Sequence, residues 1–70
     1  MTIADFVKLY RKRYKMTQKD LADRAGVGLR FVRELENGKS TLRLDKVNCV
    51  LDLFGHTLAP VSSKEVITEP

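Results

Sequence analysis

Residues 17–38 read TQKDLADRAGVGLRFVRELENG: two short apolar periodicities joined by GVG and closed by a further glycine. Thr17 and Asp20 have the T-x-x-D spacing of a capping box, in which the Thr17 hydroxyl accepts from the Asp20 amide and the Asp20 carboxylate accepts from the Thr17 N–H. Leu21, Ala22 and Ala25 give the helix a small buried face. Gly26 is placed to take the left-handed conformation that ends it, with Val27 as the apolar plug behind. A second helix starts near Gly28. It turns Val32 and Leu35 inward, Phe31 partly so, and presents Leu29, Arg30, Arg33 and Glu34 outward, with Asn37 and Gly38 as its stop signal. Helices this short are marginal alone, so the pair reads as a unit of a larger scaffold.

Upstream, Ile3, Phe6, Val7, Tyr10 and Tyr14 recur at helical spacing and predict an amphipathic helix over 2–14. Thr2 is its N-cap with Asp5 three residues on, and Arg11, Lys12, Arg13 and Lys15 sit where the helix dipole favours cations. Downstream of the loop at 39–42, Leu44, Val47, Val50, Leu51 and Phe54 form another helical stripe ended by Gly55. Cys49 and Leu53 widen that stripe beyond what three small helices can cover. HTLAPV (56–61) reads as a short strand that Pro60 confines to an edge, and a lone strand needs a partner. The fold expected is all-α, of four to five helices, with a C-terminal strand pairing across a dimer. Residues 1–61 form the domain and the polar 62–70 a flexible tail.

Seventy residues make one domain with a core too small to be robust unaided. With Cys49 the only cysteine and His56 the only histidine, neither an internal disulfide nor a metal site is available, which leaves oligomerisation. Cys49 is expected to be a small buried hydrophobe and His56 a polar residue beside the strand. No Ser/His/Asp set, carboxylate pair or Gly-rich phosphate loop can be assembled, so neither an enzyme nor a cofactor is expected. No apolar run nears the ~20 residues of a membrane span, and MTIADFVKLY is not a signal peptide, so a cytoplasmic location is expected. The net charge of +4 is uneven: residues 1–46 carry 12 of the 13 Lys and Arg against 6 of the 9 acids, while 47–70 sum to −2. A basic N-terminal two-thirds points to a polyanion, with a mixed solvated surface as the alternative.

Two helices joined by a Gly-containing turn, the second with outward polar side chains, have the layout in which the second helix enters the DNA major groove. The stretch resembles helix-turn-helix regulators of the Cro and phage-repressor type, with a lambda-repressor-like domain and the pattern T-Q-x-x-L-A-x-x-x-G-V-x-x-x-x-I-x-x-x-E-x-G. Thr17, Gln18, Leu21, Ala22, Gly26, Val27, Val32, Glu36 and Gly38 fall on it in register. The resemblance implies that Thr17 and Gln18 meet a phosphate at the start of the first helix of the pair. It makes Leu29, Arg30, Arg33 and Glu34 the base-reading face. Arg30 and Arg33 suit guanine or phosphate, Leu29 a thymine methyl, and Glu34 a cytosine amine or an arginine. Asn37, Lys39 and Arg43 are phosphate candidates, as are Lys12, Arg13 and Lys15 unless that cluster is simply solvated. Where relatives carry Ser or Thr at the N-cap and Gln or Ser in the first turn, this chain has Gly28, Leu29, Arg30 and Phe31, so its operator cannot be borrowed. Phe31 is either core packing or a groove contact. Glu36 opposes the helix dipole, and the resemblance supplies its partner in Arg11.

The continuation STLRLDKVNCVLDLFGHTLAPV looks like that of the HipB-like antitoxins, which partner HipA-like kinase toxins. That likeness implies a homodimer burying Val50, Leu51, Phe54 and Leu58, bound to an inverted-repeat operator in double-stranded DNA. It also implies repression of the chain's own operon and insertion of Val66 and Ile67 of the tail into the toxin. The rivals are a solitary phage or restriction-control repressor, and an inhibitory protein-interaction module for which DNA binding is incidental.

Overall fold

A computed structural model describes residues 1–62 of the chain. Four helices follow one another: α1 (Ile3–Arg13), α2 (Gln18–Ala25), α3 (Leu29–Glu36) and α4 (Leu44–Leu53). Their starts are written in local chemistry. Thr2 and Thr17 each accept from the amide three residues on, at 3.1 and 3.0 Å, and each donates its own N–H to the aspartate there. Those amide hydrogen bonds, Thr17 N–H first, hold the Asp20 carboxyl below its ordinary value of 3.8, and Asp5 is lowered in the same way. A carboxyl with a depressed folded-state pKa binds its proton more tightly when unfolded. Its stabilisation is therefore complete at neutral pH and is lost as pH falls through the folded-state value. Thr17→Ala should cost about 1 kcal/mol. Asp20→Asn should flatten the acid limb of a stability-versus-pH curve, so that the variant and the parent chain converge in thermal melts once pH has fallen below the lowered folded-state pKa of Asp20.

The helix ends share one geometry. In α3 and α4 the residue past the cap is a left-handed glycine, Gly38 at φ 78° and Gly55 at φ 74°. The next amide bonds back to the carbonyl five residues earlier, Lys39 to Glu34 at 3.1 Å and His56 to Leu51 at 2.9 Å. These are Schellman closures. α1 closes identically, with Lys15 N–H to Lys12 O and Met16 N–H to Arg11 O, both 3.0 Å. Its left-handed position, however, is held by Lys15 at φ 57°. A residue with a Cβ is strained there by roughly 1–2 kcal/mol, whereas glycine is not. Lys15→Gly should therefore raise stability by about 0.5 kcal/mol once the greater freedom of unfolded glycine is set against it, and Lys15→Val should lower it by about 1–2 kcal/mol, both read in urea melts.

The core joins Val7 of α1, Leu21 and Ala22 of α2, Val32 and Leu35 of α3, and Val47, Val50 and Leu51 of α4, with Met16 and Phe54. α3 packs against both α1 and α2, and α2 also against α4. Val50, Leu51 and Phe54, expected to be covered by a dimer, are covered by the chain itself: they are 0%, 5% and 8% exposed. Three members of the expected α4 stripe turn outward. Leu44 is 68% exposed, Leu53 40%, and Cys49, expected to be buried, is also exposed, because the ten-residue helix meets its neighbours along a narrower face than its apolar residues span.

The expected strand over 56–61 is absent among the described residues, as is a fifth helix. A ladder requires a second strand, and the described residues offer none. α4 and α1 hold the segment instead. Asn48 Oδ1 accepts from the Leu58 amide at 2.8 Å and from the Thr57 hydroxyl at 3.1 Å. The His56 ring, its Nδ1 2.8 Å from Phe54 O, lies edge-on to Phe6 with centroids 4.7 Å apart. Residues 63–70, including Val66 and Ile67, lie outside the described residues.

Candidate nucleic-acid interface

α2 and α3 are joined through Gly26, left-handed at φ 72°, and the Val27 amide returns to Ala22 O at 3.0 Å. Gly28 caps α3 with its backbone alone. Because Val32 and Leu35 are drawn into the core, α3 presents its opposite side outward. Arg30 and Arg33 stand on it exposed, the Arg30 side chain 91% so. Among the described residues Arg33 makes no ion pair. Arg30 Nε lies 3.4 Å from Glu34 Oε2, and Lys39 Nζ reaches the same oxygen at 3.4 Å. The exposed face therefore carries one acid between cations from α3 and the following loop.

Leu29 and Phe31 are half-buried and pack against the core. Phe31 also lies under Lys46, whose Nζ is 6.0 Å from the ring centroid. Lys46 adds a cation beside α3 that sequence reasoning missed; its position in the first turn of α4 was the available signal. Asn37 and Lys39 are exposed just past the end of α3. Arg43 caps α4 without a side-chain cap bond and is engaged by Asp45, Nε to Oδ1 at 3.1 Å and Nη2 to Oδ2 at 2.6 Å. That fork raises the Arg43 pKa and lowers the Asp45 carboxyl.

Behind this face lies the buried centre of the motif. Arg11 Nε donates to Glu36 Oε2 at 2.7 Å and Nη2 to Oε1 at 3.0 Å, a bidentate pair whose side chains are 13% and 2% exposed. Arg11 Nη1 donates to Met16 O at 3.0 Å, and Gln18 Nε2 to Glu36 Oε1 at 3.2 Å. The hydrogen bonds that Arg11 donates to Glu36 raise the Arg11 pKa, against a smaller effect of burial. α1, α2 and α3 thus meet at one carboxylate, and Gln18, expected to face a phosphate, starts from that centre at the beginning of α2.

Residues 7–56, which hold all of this, match a family model described as Helix-turn-helix. The chain belongs to the helix-turn-helix family. An uncharacterized HTH-type transcriptional regulator, y4mF of Sinorhizobium fredii, is 45% identical over 53 residues, covering 76% of this chain and 70% of that relative. Within this helix-turn-helix the base-reading candidates Leu29, Arg30, Arg33 and Glu34 share α3, while Thr17 and Gln18 open α2. Arg43 is already matched with Asp45. Leu58, the fourth residue expected at a dimer interface, is half-buried. Exposed apolar surface lies around it instead: an open groove of about 430 Å³ runs past Ile3, Phe6, Leu58 and Val61. No described helix is long and apolar enough to cross a membrane, and the described residues contain no cluster of metal-ligating side chains.

Proposed function

We propose that the chain is a sequence-specific DNA-binding transcriptional repressor that acts as a homodimer on an inverted repeat. The observation that carries this is the outward face of α3, where Arg30 and Arg33 stand exposed on a helix whose other side is locked into the core. Helix-turn-helix membership and the regulator named among its relatives support the same reading. Two such helices on a two-fold axis would enter successive major grooves about 34 Å apart. Selection of bound duplexes from a random pool should enrich an inverted repeat with half-sites about one helical turn apart. Enrichment of nothing above the starting pool overturns the reading.

The dimer surface we assign to the C-terminal segment: Leu58, Val61 and Ile3 lie along one open groove, and 59–61 is exposed. Removal of residues 56–70 should shift the sedimenting species toward monomer, and an unchanged coefficient rejects the assignment. Within this class we favour the antitoxin of a type II toxin–antitoxin pair, repressing its own operon and neutralising a HipA-like kinase toxin. Support comes from the layout after α4, an anchored segment continuing outward in the place where the HipB-like likeness puts a shared strand. Capture of the tagged chain from its native cell should recover a stoichiometric kinase-like protein together with a palindrome upstream of its own gene. A palindrome alone makes it a solitary repressor; a protein without specific DNA makes it an inhibitory interaction module.

A further inference from the structure

Gln18 is the first residue of α2 and Glu36 the last of α3, eighteen positions apart in sequence yet joined at 3.2 Å through Gln18 Nε2 and Glu36 Oε1. The contact is chemically one-sided. A carboxylate paired with a guanidinium only accepts, so it can face the nitrogen end of a primary amide and not the oxygen end. Gln18 is therefore held in one of its two flips, with its second N–H and its Oε1 left without a partner among the described residues. Glu36 is itself immobilised: both oxygens are engaged by Arg11, at 2.7 and 3.0 Å, with the side chain 2% exposed. Arg11 is anchored in turn on Met16 O, two residues before Gln18.

We propose that Glu36 is a positioning residue for DNA binding: it orients the Gln18 amide so that its free N–H meets the DNA backbone in fixed relation to α3. The inference rests on the DNA-binding reading above. It gives the Arg11–Glu36 pair a task besides holding the helices together. Because Glu36 ends the helix that carries Arg30 and Arg33, the backbone contact and the base-reading face are set by one rigid centre, and a small roll of α3 against α2 breaks the bond between them.

The test is a binding cycle on the full chain, using a duplex that the unaltered chain has selected from a random pool. Arg11→Met with Glu36→Met replaces the ion pair by apolar side chains, a change that folds commonly tolerate, and releases Gln18. Gln18→Met removes the amide itself. Each should weaken binding about tenfold, the loss of one hydrogen bond to a charged group. All three together should weaken it by that same factor, because the amide contributes nothing once its orientation is lost. Losses that multiply overturn the proposal, since Gln18 then acts without Glu36, as does a double replacement that binds as well as the parent. If the parent chain selects no duplex, the DNA-binding reading fails and this inference with it. A measurement on the unaltered, DNA-free chain covers the case in which the double replacement does not fold. The Gln18 side-chain Nε2 should have an NMR order parameter of about 0.8, and a value under about 0.6, typical of a free side chain, overturns the proposal.

Discussion

Arg11→Met should cost the folded chain about 3–5 kcal/mol, because it leaves a carboxylate buried without its counter-charge. Glu36 is 2% exposed and takes three hydrogen bonds, two of them from Arg11. The Gln18 amide that remains cannot replace a full charge. A domain of 70 residues has a total stability of roughly 4–10 kcal/mol, so the single variant should lose between about a third of it and all of it. Urea melts at 25 °C, with the slope m held as a check on two-state behaviour, measure the loss. The pair Arg11→Met with Glu36→Met should recover most of it, since the desolvation of both charges then vanishes with their attraction. The pair Lys19–Asp23, also at 3.0 Å but with side chains 71% and 66% exposed, should lose less than about 0.5 kcal/mol on substitution of Lys19 by Ala. A loss of that small size at Arg11 would mean that water reaches Glu36 and that the three-helix centre is not dry.

Arg30→Ala with Arg33→Ala should leave the melting curve almost unchanged and weaken specific binding by about 2–6 kcal/mol, roughly 30-fold to 10⁴-fold, if each arginine forks onto a guanine. Both side chains are exposed, so the fold does not depend on them. They differ in readiness. Arg33 makes no ion pair among the described residues, whereas Arg30 must exchange the Glu34 carboxylate at 3.4 Å for DNA. That separation and exposure make the exchange inexpensive. Fluorescence anisotropy on the selected duplex and on a scrambled one, each at several salt concentrations, separates the two roles. Loss on the selected duplex alone assigns base reading. Equal loss on both, with the salt slope reduced by about one per arginine, assigns phosphate contact.

The sequence supplied more of the fold than of the interface. The boxes at Thr2 and Thr17 and the left-handed Gly26 are three- to five-residue devices, and each stands where its residue types put it. The division of α3 into Val32 and Leu35 inward and Arg30 and Arg33 outward also follows from spacing alone. The end of α1 did not: Lys15 occupies a position that glycine holds in α3 and α4, and Met16 is buried behind it without belonging to any periodic stripe. α4 has the span that its apolar stripe predicts but a narrower inner face, since Leu44, Cys49 and Leu53 point away from the core. The stretch 56–61 has the composition of a strand but, within the chain, is tied to Asn48 rather than to a ladder.

By itself, then, the order of residues determined where the helices start and turn and which side of α3 faces out, because caps and periodicity act over one or two turns of chain. Tertiary structure alone decided which apolar residues of α4 are covered, how Phe54 and His56 close over α1, and that the Gln18 amide is turned nitrogen-first onto Glu36. These depend on how helices distant in sequence roll against one another. A contact between residues 18 and 36 exists only once α1, α2 and α3 have packed around the same carboxylate.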